Sequence, residues 1–438
     1  MNISIINSPF MVFQRYMFFL SSQKWDRDKI ESYQDEQLIK IIQHSAKNVP
    51  YYRSLFKEIG FDPDTFRGRV DMHKIPFLNK ETLRTRQNEL IAENAKKYGI
   101  NWDSTSGSTG TPVNLVMDDS TKAYKLAGVI RSYQWAGYSL GKKTFSIQSY
   151  TFKNSDSISK HYRFFNLWRF DAKKLKKHTA LEIIRMINDI KPKIFIGYPF
   201  SIFMLTQFAK EEGLSIGPFD SIVTAGETLS KRRRELLEAA YGCKVFDFFS
   251  LHENAAIITE CEHQTRHMFE DFAYNEIVDE YGKDASEKGT GELVGTGFYN
   301  YAMPLIRYKI GDTVVLDNEN HTCKCGRKFK IVKEIIGRQN DYLETPDGRF
   351  IGNVLEHSVD KAKGVMLSQC VQDAVNHIYV NIIADETFND DSIKAFEKGL
   401  RQRLGDEIKL DFKVVTQLER NKSGKTPFII SKIGHEYL

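Results

Sequence analysis

The sequence predicts an α/β protein: a large N-terminal domain of mostly parallel sheets flanked by helices, residues 1–337, and a small α+β domain, residues 338–438. Three observations carry this. Between Thr144 and Phe249 short apolar runs alternate with helical stretches, the pattern of parallel strands joined by helices that cover both faces of a sheet. From about Gly289 the pattern shifts to shorter β-like segments. Beyond Gly337-Arg338 a strand, a helix and a second strand follow in a stretch long enough for its own core. The 438 residues suffice for two or three domains, and 41% hydrophobic with 27% charged residues is an ordinary globular balance.

Taken in order, the first twenty residues are rich in Phe, Met and Ile, interrupted by Asn7, Pro9, Gln14 and Arg15. No cleavage site follows, and no run approaches the roughly 20 apolar residues of a membrane span. The expectation is an amphipathic segment packed on the body, with no signal peptide and no transmembrane span. Ile30, Leu38, Ile41 and Ile42 have helical spacing, in a helix expected to end at Pro50. Pro76 to Glu81 reads as a turn into a helix capped by Asn79 and running to about Glu93. Val113 to Met117 alternates as a strand, with a long helix after Asp118. Thr144 to Ser149, Lys193 to Tyr198, Ser221 to Glu227 and Lys244 to Phe249 read as strands. Helices are expected from Thr179 to Ile190, Pro199 to Glu212 and Ser230 to Ala240. Ligands of such sheets sit at the carboxyl ends of the strands, which puts Gly197, Gly226-Glu227 and Ser250 to Asn254 on one rim. His377 to Ile383 and Ile408 to Val415 read as strands around a helix from Asp391 to Leu404.

The stretch Asp103 to Pro112 is the chemical centre of this plan. Eight of its ten residues are Ser, Thr or Gly. Hydroxyls and Cβ-free glycines let donors and main-chain N–H groups wrap an anion closely. It lacks the Gly-Lys-Ser/Thr ending of a P-loop. With 62 basic against 57 acidic residues, the charge excess is too small to argue for nucleic acid, and it suits anionic small molecules. The five cysteines, Cys243, Cys261, Cys323, Cys325 and Cys370, are an odd number without a disulfide-framework pattern, which favours a reducing, cytoplasmic setting. Cys323-Lys324-Cys325 is a tight Cys-x-Cys turn, and Cys261 lies upstream with His263 and His267 close behind it. Three thiolates and one imidazole are the ligand set of a closed tetrahedral zinc site.

Thr105, Ser106, Gly107, Ser108, Thr109, Gly110, Thr111 and Pro112, then Phe249-Ser250-Leu251-His252-Glu253, then Arg307 to Asp312, then Asn421 to Lys425, occur in the order of four family motifs. The chain resembles the adenylate-forming (AMP-binding) ligases, in particular the branch of phenylacetate-CoA ligases and CapK-like proteins. That resemblance implies ATP-dependent activation of a small carboxylic acid to an acyl-adenylate, with pyrophosphate released, then transfer to a thiol, coenzyme A first. It makes Lys425 the catalytic lysine and Glu253 a catalytic Mg²⁺ ligand. It gives Thr105 to Gly110, Ala225, Gly226, Glu227, Phe249, Ser250, His252, Asp312 and Arg338 to ATP and AMP, with Asp312 on the ribose hydroxyls. Asn340 occupies the hinge about which the small C-terminal domain swings as a mobile lid. Of the two histidines, His267 matches the family position, making Cys261, His267, Cys323 and Cys325 the zinc set. His252, Ser250 and Lys309 depart from the family pattern, and His252 is expected to fill part of the acyl pocket, so an aryl acid is not assumed.

Alternatives stay open at this stage. The acyl group could pass to an amine, or AMP itself to an acceptor, in surface polysaccharide synthesis. A nucleotide-binding scaffold without catalysis is a third reading, opposed by intact Glu253, Asp312 and Lys425. The sequence names neither the acid nor the acceptor, and leaves a homodimer open.

Overall fold

The computed structural model describes residues 9–104, 114–150, 152, 157–287, 289–317, 322–338, 343–347, 350–351, 362–420 and 426–433. It divides into two compact units, Met1–Leu140 with Phe246–Ile335, and Gly141–Val245 with Ile336–Leu438.

In the first unit the helices Pro9–Ser22 and Asp119–Trp135 pack together. Val12, Phe19 and Ser22 of the former are buried while Phe10, Phe13 and Met17 face outward, the expected amphipathic segment. Arg131, fully buried, joins both helices to the sheet: it pairs with Asp271 at 2.6 and 2.8 Å and donates to the Phe19 carbonyl at 3.2 Å. Pro50 ends the helix Arg27–Asn48 as expected, but it also opens a second one, Pro50–Glu58, because proline at the first helical position loses only a donor that would be unpaired anyway. The helix expected to reach Glu93 is shorter and broken, as Lys80–Thr85 and Gln87–Leu90. Its backbone is claimed instead by tertiary bonds, Ala92 N–H to the Ala302 carbonyl at 2.9 Å and Glu93 N–H to Asn48 at 2.8 Å.

The strands Ala273–Val278, Thr290–Gly297, Tyr308–Leu316, Ile331–Arg338, Arg266–Met268, Ile257–Glu260 and Lys244–Ser250 lie side by side in that order. Ala273–Val278 with Thr290–Gly297, the latter with Tyr308–Leu316, and Ile257–Glu260 with Arg266–Met268 are antiparallel pairs. A separate hairpin pairs Asn101–Ser104 with Asn114–Met117, Ser104 opposite Asn114. Its closing connection is residues 105–113, so the Ser/Thr/Gly stretch begins and ends on two adjacent strand ends.

In the second unit Ser221–Ala225, Ile194–Gly197, Thr144–Gln148 and Leu167–Asp171 are parallel neighbours, with Ser159–Tyr162 antiparallel at the edge. Lys177–Ile190 and Pro199–Glu211 are helices between them and Lys231–Tyr241 follows Ser221–Ala225, all within two residues of the expected bounds. Phe145, Ile183, Phe195, Ile222 and Leu237 form a core that also takes in Leu367, Ile383 and Leu418. The later residues form a four-stranded sheet, ordered Lys409–Val414, His377–Ala384, Val365–Ala374, Ile429–Ser431, under the helix Asp390–Leu404. Ile378, Val380, Phe396 and Leu400 give it a core of its own. No helix among the described residues is long and apolar enough to cross a membrane.

Candidate functional site

Cys261, His267, Cys323 and Cys325 converge: their ligand atoms all lie within 4.8 Å of one another. The topology explains how residues so far apart in sequence meet. Cys261 closes a turn after Ile257–Glu260, its N–H bonded to the Thr265 carbonyl at 2.9 Å, and the chain returns through Arg266–Met268. His267 sits on that return strand opposite Ile331, and Cys323 to Arg327 immediately precede the strand that starts at Ile331. Cys261 Sγ is 3.5 Å from Cys323 Sγ, and Cys325 Sγ is 3.3 Å from His267 Nε2. A tetrahedral ion with sulfur at about 2.3 Å holds its ligands about 3.8 Å apart, close to this spacing.

Burial dominates the electrostatics of the cluster. Burial pushes the Cys261 thiol up to about 12 and raises Cys325. Burial also acts to raise Cys323, but hydrogen bonds from Thr265 and the Cys325 N–H bring it below its ordinary value. Burial drives His267 down to about 4, so its imidazole is neutral near pH 7. Its Nδ1 faces the Phe329 carbonyl at 3.4 Å. A carbonyl only accepts, so Nδ1 carries the hydrogen and the Nε2 lone pair points at the thiols. His263 contributes its backbone N–H to Cys261 Sγ at 3.4 Å, while His267 supplies the ring nitrogen. Trp135 packs edge-on to His267, and Arg327 lies over the Trp135 ring at 4.1 Å.

The predicted nucleotide residues fall in both units. Thr105, Ser106, Gly107, Ser108, Thr109, Gly110, Asn340 and Lys425 lie outside the described residues, and Arg338 ends the strand Ile331–Arg338. Phe249 and Ser250 finish the strand Lys244–Ser250, opposite Ile258 and Ile257. His252 and Glu253 follow in a turn whose next residue, Asn254, has φ +59 and is buried. That turn is seated on Gly295: a Cβ there would come within 2.3 Å of the Ala255 carbonyl oxygen, so only glycine allows the approach. Glu253, with Thr121, Asn254, Tyr299 and Asn300, lines a small pocket.

The turn is tied to the base of the Ser/Thr/Gly stretch. His252 Nε2 is 3.0 Å from Asp103 Oδ2, and Lys125 donates to the His252 carbonyl at 3.2 Å. The His252 imidazole therefore faces Asp103. Lys125, which sequence reasoning missed, is pushed down to about 8 by burial, against the pull of Asp103 and Glu253. Only its position seven residues after Asp118 on the Asp119–Trp135 helix could have signalled it.

Asp312 is buried on Tyr308–Leu316, within a register shift where Gly311 takes φ +83. Arg307, of the same motif, has φ +50 and is spent on structure: its guanidinium grips Glu276 at 3.0 and 2.8 Å over the Phe77 ring. In the second unit Ala225 ends its strand and Gly226 takes φ +81. Gly197 stands beside Thr224, so those two carboxyl ends share a rim. Each Glu227 carboxylate oxygen accepts a backbone N–H: Phe200 at 3.0 Å, in the first turn of Pro199–Glu211, and Thr426 at 2.8 Å.

Residues 343–432 match the family model of the CapK C-terminal domain. Over 414 residues the chain is 25% identical to Protein CapK of Staphylococcus aureus, covering 91% of this chain and 89% of that protein. It is 25% identical over 423 residues to the phenylacetate-coenzyme A ligase of Thermus thermophilus, 92% and 94% of the two chains. Among solved structures, 2-hydroxyisobutyryl-CoA ligase in the postadenylation state with 2-HIB-AMP superposes with TM-score 0.76 at 18% identity, covering 93% of this chain and 91% of that one. An anthranilate CoA ligase with anthranoyl-AMP superposes at 0.54, with 15% identity over 75% and 65%. The chain is thus similar in sequence to CapK and the phenylacetate-CoA ligases, and it shares the fold of 2-hydroxyisobutyryl-CoA ligase.

Proposed function

We propose that this chain is an AMP-forming acid–thiol ligase: it joins a small carboxylic acid to AMP from ATP, releases pyrophosphate, and passes the acyl group to coenzyme A. The observation that carries this reading is the 3.0 Å contact between His252 Nε2 and Asp103 Oδ2, which fastens the turn bearing Glu253 to the strand entering the Ser/Thr/Gly stretch. In this reading the Ser/Thr/Gly stretch would wrap the phosphates and Glu253 would hold Mg²⁺, as bringing two anions together demands. Mg²⁺ would supply charge neutralisation on the phosphates. Asp312 would accept from the ribose hydroxyls and Lys425 would neutralise the carboxylate and α-phosphate as they meet. Ala225 and Gly226 would line the adenine pocket. Residues 338–438 act as the swinging lid with Asn340 as its hinge.

Cys261, His267, Cys323 and Cys325 hold a structural zinc ion in this reading, since three thiols and a neutral imidazole at tetrahedral spacing leave no open coordination position. Five cysteines with no disulfide among the described residues suit a reducing cytoplasm. A second reading, acyl transfer to an amine or AMP transfer in surface polysaccharide synthesis, is favoured by the CapK C-terminal match over residues 343–432.

The test is carboxylate-dependent ATP–pyrophosphate exchange across a panel of acids. An active acid is expected, with Lys425→Ala lowering exchange about a thousandfold while ATP still binds. No exchange with undiminished ATP binding would instead support a scaffold. Offering coenzyme A and then amines to the active acid separates the two acceptors.

A further inference from the structure

Lys125 has no task in the reading given above, and its surroundings are costly for an ammonium group. It stands on the helix Asp119–Trp135, where its head group donates to the His252 carbonyl at 3.2 Å and lies in the field of the Asp103 and Glu253 carboxylates. An ammonium carries three N–H donors, so two remain without a hydrogen-bond partner among the described residues. Lys122, three residues earlier on the same helix, lies in the field of Asp103 as well, together with Asp119.

Residues three apart on a helix are surface neighbours, and like charges there repel. Burial opposes both charges too, pushing Lys125 down to about 8 and lowering Lys122. The carboxylates answer this only in part: Asp103 is shared between the two lysines and already lies 3.0 Å from His252 Nε2. Among the described residues neither lysine is in an ion pair. Two half-buried cations side by side, with no carboxylate in contact, weaken the fold rather than hold it. The ligand that offsets this is an anion with several charged oxygens, long enough to face both ammonium groups.

We propose that Lys122 and Lys125 bind the polyphosphate chain that ATP carries and AMP lacks. The inference rests on the ligase reading for the identity of the nucleotide, and on the contact of Lys125 with the turn of His252 and Glu253 for its place. Lysine suits the task as a compact point charge whose donors turn to whichever oxygen is present. The hold ends when pyrophosphate leaves, so the pair favours the nucleotide that enters over the adenylate that stays.

The experiment titrates the full-length chain with Mg-ATP, Mg-pyrophosphate and AMP, without acid, by calorimetry. Lys125→Met is expected to weaken ATP and pyrophosphate about tenfold and to leave AMP within about twofold, because only the first two carry the anion in question. Lys122→Met is expected to act in the same direction, several-fold, and Lys125→Arg, which keeps the charge, to stay within about threefold of wild type for ATP. Lys57→Met makes the same change of net charge on the exposed side of Pro50–Glu58 and is expected to alter none of the three affinities. The melting temperature of Lys125→Met at pH 7 is expected to be no lower than that of wild type, whereas a merely structural lysine would lower it. Equal losses for ATP and AMP, wild-type affinity for ATP, or an effect of Lys57→Met as large as that of Lys125→Met would overturn the proposal. Should Lys125→Met melt early, Lys122→Met carries the same comparison, and equal losses for ATP and AMP there overturn it as well. These titrations need no acid, so the absence of acid-dependent exchange in wild type would remove the ligase reading alone, and equal losses for ATP and AMP would remove the lysine pair alone.

Discussion

The cysteine cluster and the proposed nucleotide residues both draw on distant stretches of chain, and they are built on opposite principles. Cys261 to Cys325 lie within one unit, and their four ligand atoms converge on one point. Every neighbour serves that point: the Phe329 carbonyl fixes the His267 ring, backbone N–H groups reach the Cys261 and Cys323 sulfurs, and Trp135 closes one side. The proposed nucleotide residues belong to both units, and Glu227 spends its side chain on two backbone N–H groups, as Arg307, of the same motif as Asp312, does on Glu276. A single ion of fixed radius demands convergence; a large ligand that arrives and leaves demands segments that are separately held.

The largest expected effect breaks the first half of this contrast. Cys261→Ser removes one ligand from a set with no spare donor, so the purified protein is expected to carry far less than one equivalent of zinc and to lose about 4 kcal/mol or more of stability. Metal analysis and urea denaturation check it. Wild type purified without added metal and holding no zinc would remove the metal centre altogether.

Next in size is Arg131→Met. The pair with Asp271 is 0% and 1% exposed, and breaking a buried pair from one side costs about 3–5 kcal/mol because the other charge is left stranded. Arg131 also lies 3.7 Å over the Phe269 ring and 5.5 Å from that of Phe329, directly behind the cluster. Zinc content is nevertheless expected to stay at the wild-type value, since no ligand is touched. Metal loss in step with stability would show that convergence extends further than the four side chains.

Glu253→Gln sharpens the other half. The turn is held by Gly295 and by the His252–Asp103 pair, and the Glu253 carboxylate adds an attraction for the Lys125 ammonium. Exchange is expected to fall about a hundredfold, about 2.7 kcal/mol, at unchanged melting temperature. A large drop in melting temperature would make Glu253 another residue spent on the fold.

How much of this was legible follows the same division. Cysteine and histidine are rare and their ligand sets few, so the cluster could be read from Cys323-Lys324-Cys325 and Cys261, with His267 chosen over His263 by resemblance. Strand and helix alternation from Thr144 to Phe249 was readable because buried parallel strands are continuous apolar runs. Ser159–Tyr162 was not, because an edge strand with burial on neither face carries no such run. The helix expected to reach Glu93 failed because bonds to Ala302 and Asn48 are invisible locally. Glu227 carries no sequence signal for its contacts: a carboxylate that takes two backbone N–H groups looks like any acidic residue after a strand. Lys125 was hidden in the same way, as one lysine on an amphipathic helix.

The smallest expected effect concerns that lysine. Burial holds Lys125 at about 8, while the unfolded chain titrates near 10.5. The folded chain binds this proton more weakly than the unfolded one, so it is favoured as pH rises. The contribution is complete above the unfolded value and is lost as pH falls through about 8. Lys125→Met removes a charge that is costly to bury, so the variant is expected to be more stable than wild type at pH 7, with the gain shrinking between pH 8 and 10.5. Urea midpoints at the two ends of that range measure it, and a gain independent of pH would mean better packing rather than relief of a buried charge. Asp103→Asn gives the opposite sign at pH 7, because it takes away an attraction that keeps the ammonium charged. If both substitutions behave so while exchange falls, the base of the Ser/Thr/Gly stretch is a place where the fold carries a charge for its ligand, as the cysteine cluster does not.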